Sequence, residues 1–493
     1  MKNRKILLFV VPMLLLSSCD GKGEDKPING DGEITQPTPD DPVFAKFNDE
    51  LETGAVVKVV ENDTAIKLGY FDELIEAFNE EYAEYGITAV DANQGEFADL
   101  PNTGPYGYGP DVVYQANDIL MGWVEDKHIT PLPTHLIKAY QDNVIPETAQ
   151  DAYKAVANNT EYTFGVPVNI QAPLLYYRKD LLPEDWETKW DDNQNKVPDL
   201  VENLVDLYQF SIEYHEKDET KYGFEFSLND FYFTSGYLFS YGGYLFGNNN
   251  RDDTDIGLHK GDAKLGVQVL RQFASIMSPA CIDDSAKLGI SSAMASGKYF
   301  ASVTTPDVRS VIVDTLSTTY QDEQGLSESE ADALAEENIV GVPFPSLPSN
   351  GDLLDPSDEV IECKQMGGIN GYGISSYTKV PNAALAFVNF ATSYEMVKLR
   401  EELLDIAPCR NDVASESSEL SKQLFEKTSE GGIVLMPSIK AINQVWTPAG
   451  SFMADVAADP TRGADAKYDT LDKIQTRLEQ LSSDIYDAIH LLD

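Results

Sequence analysis

The stretch Ala55-Val56-Val57-Lys58-Val59-Val60-Glu61, followed by Phe71, Leu74, Ile75 and Phe78, decides the fold class. The first run is short, apolar and β-branched, which suits a strand buried on both faces. The second places apolar side chains three and four residues apart over 71–82, one face of a helix. Gly86 to Asp91 then predicts a second strand. Gly107-Tyr108-Gly109-Pro110-Asp111-Val112-Val113-Tyr114 puts a turn in front of a third. Strand and helix patterns that alternate in this way predict an α/β fold with largely parallel sheets.

The alternation continues along the chain. Gly165-Val166-Pro167-Val168 and Leu174-Leu175-Tyr176-Tyr177 read as a β pair, and Pro198 to Tyr214 as one helix with Asp199 accepting from its first-turn amides. Ala263–Ser275, Ala286–Ser296, Ala383–Tyr394 and Lys467–His490 read as further helices, and Phe300–Thr304 and Val340–Phe344 as short strands. Ser327 to Asn338 is acidic and polar, either a surface helix or an inserted loop. No internal repeat is visible.

The first residues set the compartment. Lys2, Arg4 and Lys5 precede the apolar run Ile6 to Leu16, then Leu16-Ser17-Ser18-Cys19, and the chain turns acidic at Asp20. Such a run is too short to span a bilayer and predicts a cleaved export signal over 1–19. Its end resembles a bacterial lipobox, which implies that Cys19 is lipidated and becomes the mature N-terminus. The expected location is therefore the extracytoplasmic face of the cell membrane, held by lipid. Residues 20–52 are rich in Gly, Pro, Asp, Glu and Thr, and predict a disordered tether.

The remaining body, roughly 440 residues, exceeds one compact core and predicts two lobes. Apolar residues make up 42% of the chain, with 25 Tyr, 21 Phe and 4 Trp to fill those cores. A net charge of −46 excludes a phosphate-backbone partner, so no nucleic acid is expected. Five scattered His and the wide spacing of Cys281, Cys363 and Cys409 give no zinc motif. Those three Cys can hold one disulfide or stay as buried thiols. Asp191, Asn193, Asn195 and Glu202 fall at calcium-loop spacing, but Lys196 stands where that loop needs Gly, so a polar loop capping a helix is the preferred reading and no metal is expected.

In order along the body, several segments carry a resemblance. They are Gly107 to Tyr114 followed by Gln115-Ala116-Asn117-Asp118, and Tyr162 to Val168 running on through Leu174 to Pro183. Tyr232-Phe233-Thr234 with Gly242-Gly243-Tyr244 follows, then Met436-Pro437-Ser438-Ile439 and Trp446. Together they resemble the maltose-binding type of extracellular solute-binding proteins, which serve ATP-driven sugar importers.

The resemblance implies a two-lobed, type II periplasmic-binding-protein-like fold with a ligand cleft between lobes. Lobe 1 is expected over about 53–169 plus 372–420, and lobe 2 over 170–368 plus 421–493. Crossings are expected near Val168–Gln171, Gly367–Gly373 and Ser415–Gly432. The run Gly367-Gly368-Ile369-Asn370-Gly371-Tyr372-Gly373 suits a hinge or a close approach of strands, with a tight packed turn as the alternative.

The implied function is capture of a carbohydrate, such as a maltodextrin-like oligosaccharide, for delivery to the permease subunits of an ABC transporter. It involves no catalysis and no cofactor. The alternative is a surface glycan-binding or glycan-active lipoprotein not tied to an importer. Sugar rings stack on aromatic planes while their hydroxyls need carboxylates and amides. By the resemblance, Tyr232 and Trp446 take the stacking positions. Asp230 and Asp118 take acidic hydroxyl-binding positions, and Gln171 stands where the family often has Glu. Gln115 and Asp307 occupy positions where the maltose-binding type has Trp, which makes the expected site more polar. Each has a plainer alternative: one of Tyr232 and Phe233 is core, Trp446 could be packing, Asp118 could cap a helix, and Asp307 could cap one with Arg309 as ion-pair partner.

Overall fold

The computed structural model describes residues 34–48, 50–94 and 98–491. Cys19 and the export signal lie outside the described residues. The tether expected over residues 20–52 does not run to residue 52, because the chain packs on the body from Thr35. Thr35 pairs with Thr160, Tyr162 donates to Asp41, and Phe44 and Phe47 are buried. Two Phe side chains provide apolar surface that the polar average of the segment conceals.

The first sheet contains β1 (Val56–Val60), β2 (Thr88–Asp91) and β3 (Val112–Ala116). A hairpin, β4 (Lys154–Ala157) and β5 (Thr160–Thr163), leads to β6 (Gly165–Gln171), which joins the same sheet. The second sheet contains β7 (Leu174–Arg178), β8 (Tyr222–Phe224), β10 (Tyr299–Thr304) and β11 (Ile339–Val342), in the order β11-β7-β10-β8. Three short strands lie outside both sheets: β9 (Asp252–Ile256), and the pair β12 (Leu347–Pro348) with β13 (Val360–Ile361). The chain then returns through β14 (Gln365–Ile374) and β15 (Ile433–Leu435), giving β15-β14-β3-β1-β2 with β6 also on β14.

The α/β class stands, but the sheets are mixed rather than largely parallel. β1 runs parallel to β2 and β3, whereas β14 is antiparallel to β3 and β6, and β7 to β10 and β11. β6 and β7 do not pair with each other as expected. Only Ala172 and Pro173 separate them, and the chain passes there from one sheet to the other. The glycine run is not a turn but the middle of β14, where the expected close approach of strands is seen. A Cβ on Gly371 would sit 2.4 Å from the Val166 carbonyl, and one on Gly367 2.4 Å from Ile433 Cγ2. Glycine there lets three strands approach.

The helix Tyr70–Glu81 buries Phe71, Leu74 and Phe78 completely, as its spacing requires. The helix expected over 198–214 breaks at Asn203, whose backbone is extended and whose side chain caps Leu204–Lys217. Asp199 accepts from the Asp192 amide (2.8 Å) and does not cap. Ser327 to Asn338 is a helix, held at its start by a reciprocal Ser327–Glu330 capping box. The three described Cys are free, buried thiols.

The apolar cores do not divide at the expected lobe boundaries. On β7, Leu174 and Tyr176 face the core around β1, while Leu175 and Tyr177 face a second core. Ile312, Leu316 and Tyr320, expected with lobe 2, join the first. The second sheet is covered on both faces, and one cover is continuous with the first core. No helix among the described residues is long and apolar enough to cross a membrane.

Candidate functional site

Gln171 ends β6, just before the chain crosses between sheets. Its Nε2 donates to Asp307 Oδ1 (3.2 Å), its Oε1 accepts from Asn370 Nδ2 (3.1 Å), and its carbonyl accepts from the Tyr232 hydroxyl (2.9 Å). One residue at the crossing therefore touches β14 and the start of the helix Pro306–Gln324 through its side chain, and the short helix Phe231–Thr234 through its backbone carbonyl.

Tyr232 is half-buried, and its neighbour Phe233 belongs to the second core. Burial raises the Tyr232 phenol well above its ordinary pKa, and the carboxylates of Asp307, Asp118 and Asp230 push it further. Three acids from three separate elements thus lie close enough to act on one phenol. Asp118 is the second residue of the helix Asn117–Glu125, and the cap position belongs to Ala116. Its Oδ1 is buried without a partner, and desolvation raises its carboxyl above the usual range.

Asp230 caps the helix Phe231–Thr234 through the Tyr232 amide, and its other oxygen meets Lys287 Nζ at 2.9 Å. Trp446 opens the helix Trp446–Ala457, half-buried against Phe231 with ring centroids 6.5 Å apart. Gln115, half-buried on β3, lies opposite Gly371 of β14. Asp307 does not pair with Arg309. That guanidinium goes instead to Glu336 (2.7 Å) and Asp405 (3.6 Å), acids far off in sequence.

Two residues with polar roles here carried no sequence signal of their own. Asn370 lies in the glycine run, where its amide looked incidental. Asn117, fully buried, donates to the Met436 carbonyl and Ser438 Oγ (both 2.9 Å) and accepts from the Ile369 amide (3.2 Å). It fastens β14 to the segment after β15, where the chain passes toward the second core, downstream of the crossing expected at Ser415–Gly432.

A cavity of about 1000 Å³ lies elsewhere, around Val434–Ile439, with walls from Met121, the β4–β5 hairpin and Tyr244 to Asp255. None of the seven candidate residues lines it. Its charged groups are largely committed nearby: Lys154 to Asp151, Asp255 to Tyr244, and Glu125 to the Lys440 amide. The cluster around Gln171 and Tyr232 is the better candidate, because there polar groups from several elements hydrogen-bond one another and two buried acceptors, Asp118 Oδ1 and Asn370 Oδ1, are left without partners. In the loop of calcium-like spacing, Asn193 and Asn195 turn their Nδ2 groups onto Glu202, whereas a cation would need their oxygens. No group of His, Cys, Asp and Glu among the described residues could hold a metal.

Residues 63–398 match the family of bacterial extracellular solute-binding proteins. The chain belongs to that family. It is similar to the maltodextrin-binding protein MdxE of Bacillus subtilis, 24% identical over 387 residues, which covers 77% of this chain and 80% of the relative. It is also similar to a maltooligosaccharide ABC transporter solute-binding lipoprotein of Streptococcus pneumoniae, 22% identical over 95% of both chains. Among solved structures it shares its fold with the maltose-binding periplasmic protein MalE of Listeria monocytogenes, solved with maltose (TM-score 0.64, 19% identity, 89% of this chain and 99% of that one). The fold is thus that of the two-lobed binding proteins.

Proposed function

We propose that this solute-binding protein captures a carbohydrate, an oligosaccharide of the maltodextrin kind, between its lobes and presents it to the permease of an ABC transporter. Lipid on Cys19 would hold it at the extracytoplasmic face of the membrane, and it would act without catalysis. The observation that carries the reading is that Gln171, at the crossing strand, meets Asp307, Asn370 and Tyr232 by hydrogen bonds, with Asp118 and Asp230 close enough to act on the same phenol. Relatives named for maltodextrin and maltooligosaccharide binding support it.

Trp446 and Tyr232 would stack on sugar rings while the acids and amides take hydroxyls. The departures at Gln115 and Asp307 replace two aromatic platforms by polar groups, so this site would hold its ligand more by hydrogen bonds than by stacking.

Calorimetry and thermal melts on the mature protein test this. A true ligand at 100 times its Kd adds about 2.7 kcal/mol of stability. Trp446→Ala should lower affinity about thirtyfold, some 2 kcal/mol, with little change in melting. If no carbohydrate raises the melting temperature, the proposal fails. If Trp446→Ala instead binds normally and loses about 3–5 kcal/mol of stability, Trp446 is a packing residue.

A further inference from the structure

Asp307, Gln171 and Asn370 form a relay whose donor and acceptor sense is fixed at one end. An ionised carboxylate only accepts, so Gln171 must turn its Nε2 toward Asp307 Oδ1 and its Oε1 toward Asn370. Asn370 must then donate Nδ2, and its amide cannot flip without setting two oxygens face to face. Its Oδ1 is left pointing away from the relay, buried and without a partner, on a residue only 7% exposed. The Tyr114 hydroxyl lies beside Asn370 as well, but its single proton goes to Asn169 Oδ1.

A second acceptor stands nearby in the same state. Asn370 pairs with Ala116 across β14 and β3, and Asp118, two residues on, has its own buried and unpartnered Oδ1. Desolvated acceptors with no donor are costly and rare. The neighbouring cations are already paired, Lys287 with Asp230, Arg309 with Glu336 and Asp405, and Arg400 with Glu61.

We infer that Asn370 is a ligand-binding residue, its Oδ1 held by the relay as an obligate acceptor, and that with Asp118 it selects a neutral, hydroxyl-donating sugar against anionic ones such as uronic acid oligosaccharides. This rests on the carbohydrate reading above. A carboxylate on the ligand would bring no proton to either acceptor and would face Asp118, Asp230 and Asp307. A hydroxyl pair satisfies both.

The test uses the mature protein, the maltooligosaccharide that wild type binds best, its single-deoxy analogues, and a uronic acid oligosaccharide of equal length. Asn370→Leu keeps the branched shape and removes the acceptor, together with the donor to Gln171. It should lower affinity at least tenfold with the melting temperature of the free protein nearly unchanged. One deoxy analogue should bind wild type about tenfold more weakly than its parent yet bind Asn370→Leu as well as the parent does. The uronic acid should bind wild type at least a hundredfold more weakly. Equal losses for every deoxy analogue in both proteins would make Asn370 a packing residue, and tight uronate binding would remove the charge selection. Either result overturns the inference while leaving carbohydrate capture intact. Wild type that binds no carbohydrate overturns both.

Discussion

Glu225 follows β8, is fully buried, and is half satisfied: the Ser278 amide donates to Oε2 at 2.8 Å and Oε1 has no partner. Burial pushes its carboxyl up to about 8, with the Ser278 hydrogen bonds and Lys298 opposing that only in part. In the unfolded chain the same group titrates near the ordinary glutamate value of 4.5. Between these two values the folded protein holds a proton that the unfolded chain has released. The folded state binds more protons, so stability falls as pH rises through that window and levels off above it. At about 1.36 kcal/mol per pKa unit, the loss between pH 5 and pH 7 is about 2.5 kcal/mol. Glu225→Gln keeps the shape of the protonated acid and removes the titration. The variant and wild type should therefore be about equally stable near pH 4.5, with the variant ahead by about 2.5 kcal/mol or a little more at pH 7. Urea melts of both proteins at half-unit steps from pH 5 to pH 8.5 read this difference directly, because titrations elsewhere cancel between them. Parallel curves across the window, or a variant that is less stable at pH 8, would refute the reasoning.

Arg400 and Glu61 form a buried bidentate pair (2.7 and 3.0 Å), with the guanidinium 4.0 Å over the Tyr114 ring. Glu61→Gln leaves that cation uncompensated and should cost about 3–5 kcal/mol in a denaturant melt, of which a Glu61→Met, Arg400→Met double variant should recover a large part. At the other end of the chain, Cys19→Ala should move the protein from the membrane fraction to the soluble one without lowering the melting temperature of the body, and continued membrane attachment would rule out the lipid anchor.

Local periodicity determined much of this protein. A short β-branched apolar run in Ala55–Glu61 and a period of 3.6 in Phe71–Phe78 decided the α/β class, because each is a property of neighbouring residues alone. The order of short segments from Gly107 to Trp446 sufficed for the family, and it pointed at Gln171, Tyr232, Asp118 and Asp307 as members of one site. Which strands pair was not legible. β6 and β7 look like a hairpin in sequence, yet they lie in different sheets, since a strand's alternation is the same whatever its partner. The apolar content of Phe44 and Phe47 was likewise lost in the polar average around them. The contacts that organise the interior span far greater distances: Glu61 and Arg400 are 339 residues apart, and Gln171 and Asp307 are 136 apart. Only the folded chain decided that Asn370 carries an unpaired acceptor, that Asn117 fastens β14 to the segment after β15, and that Arg309 turns to Glu336 and Asp405 rather than to Asp307. A polar side chain's partners are set by where distant backbone segments meet, and residue type and local spacing carry no record of that meeting.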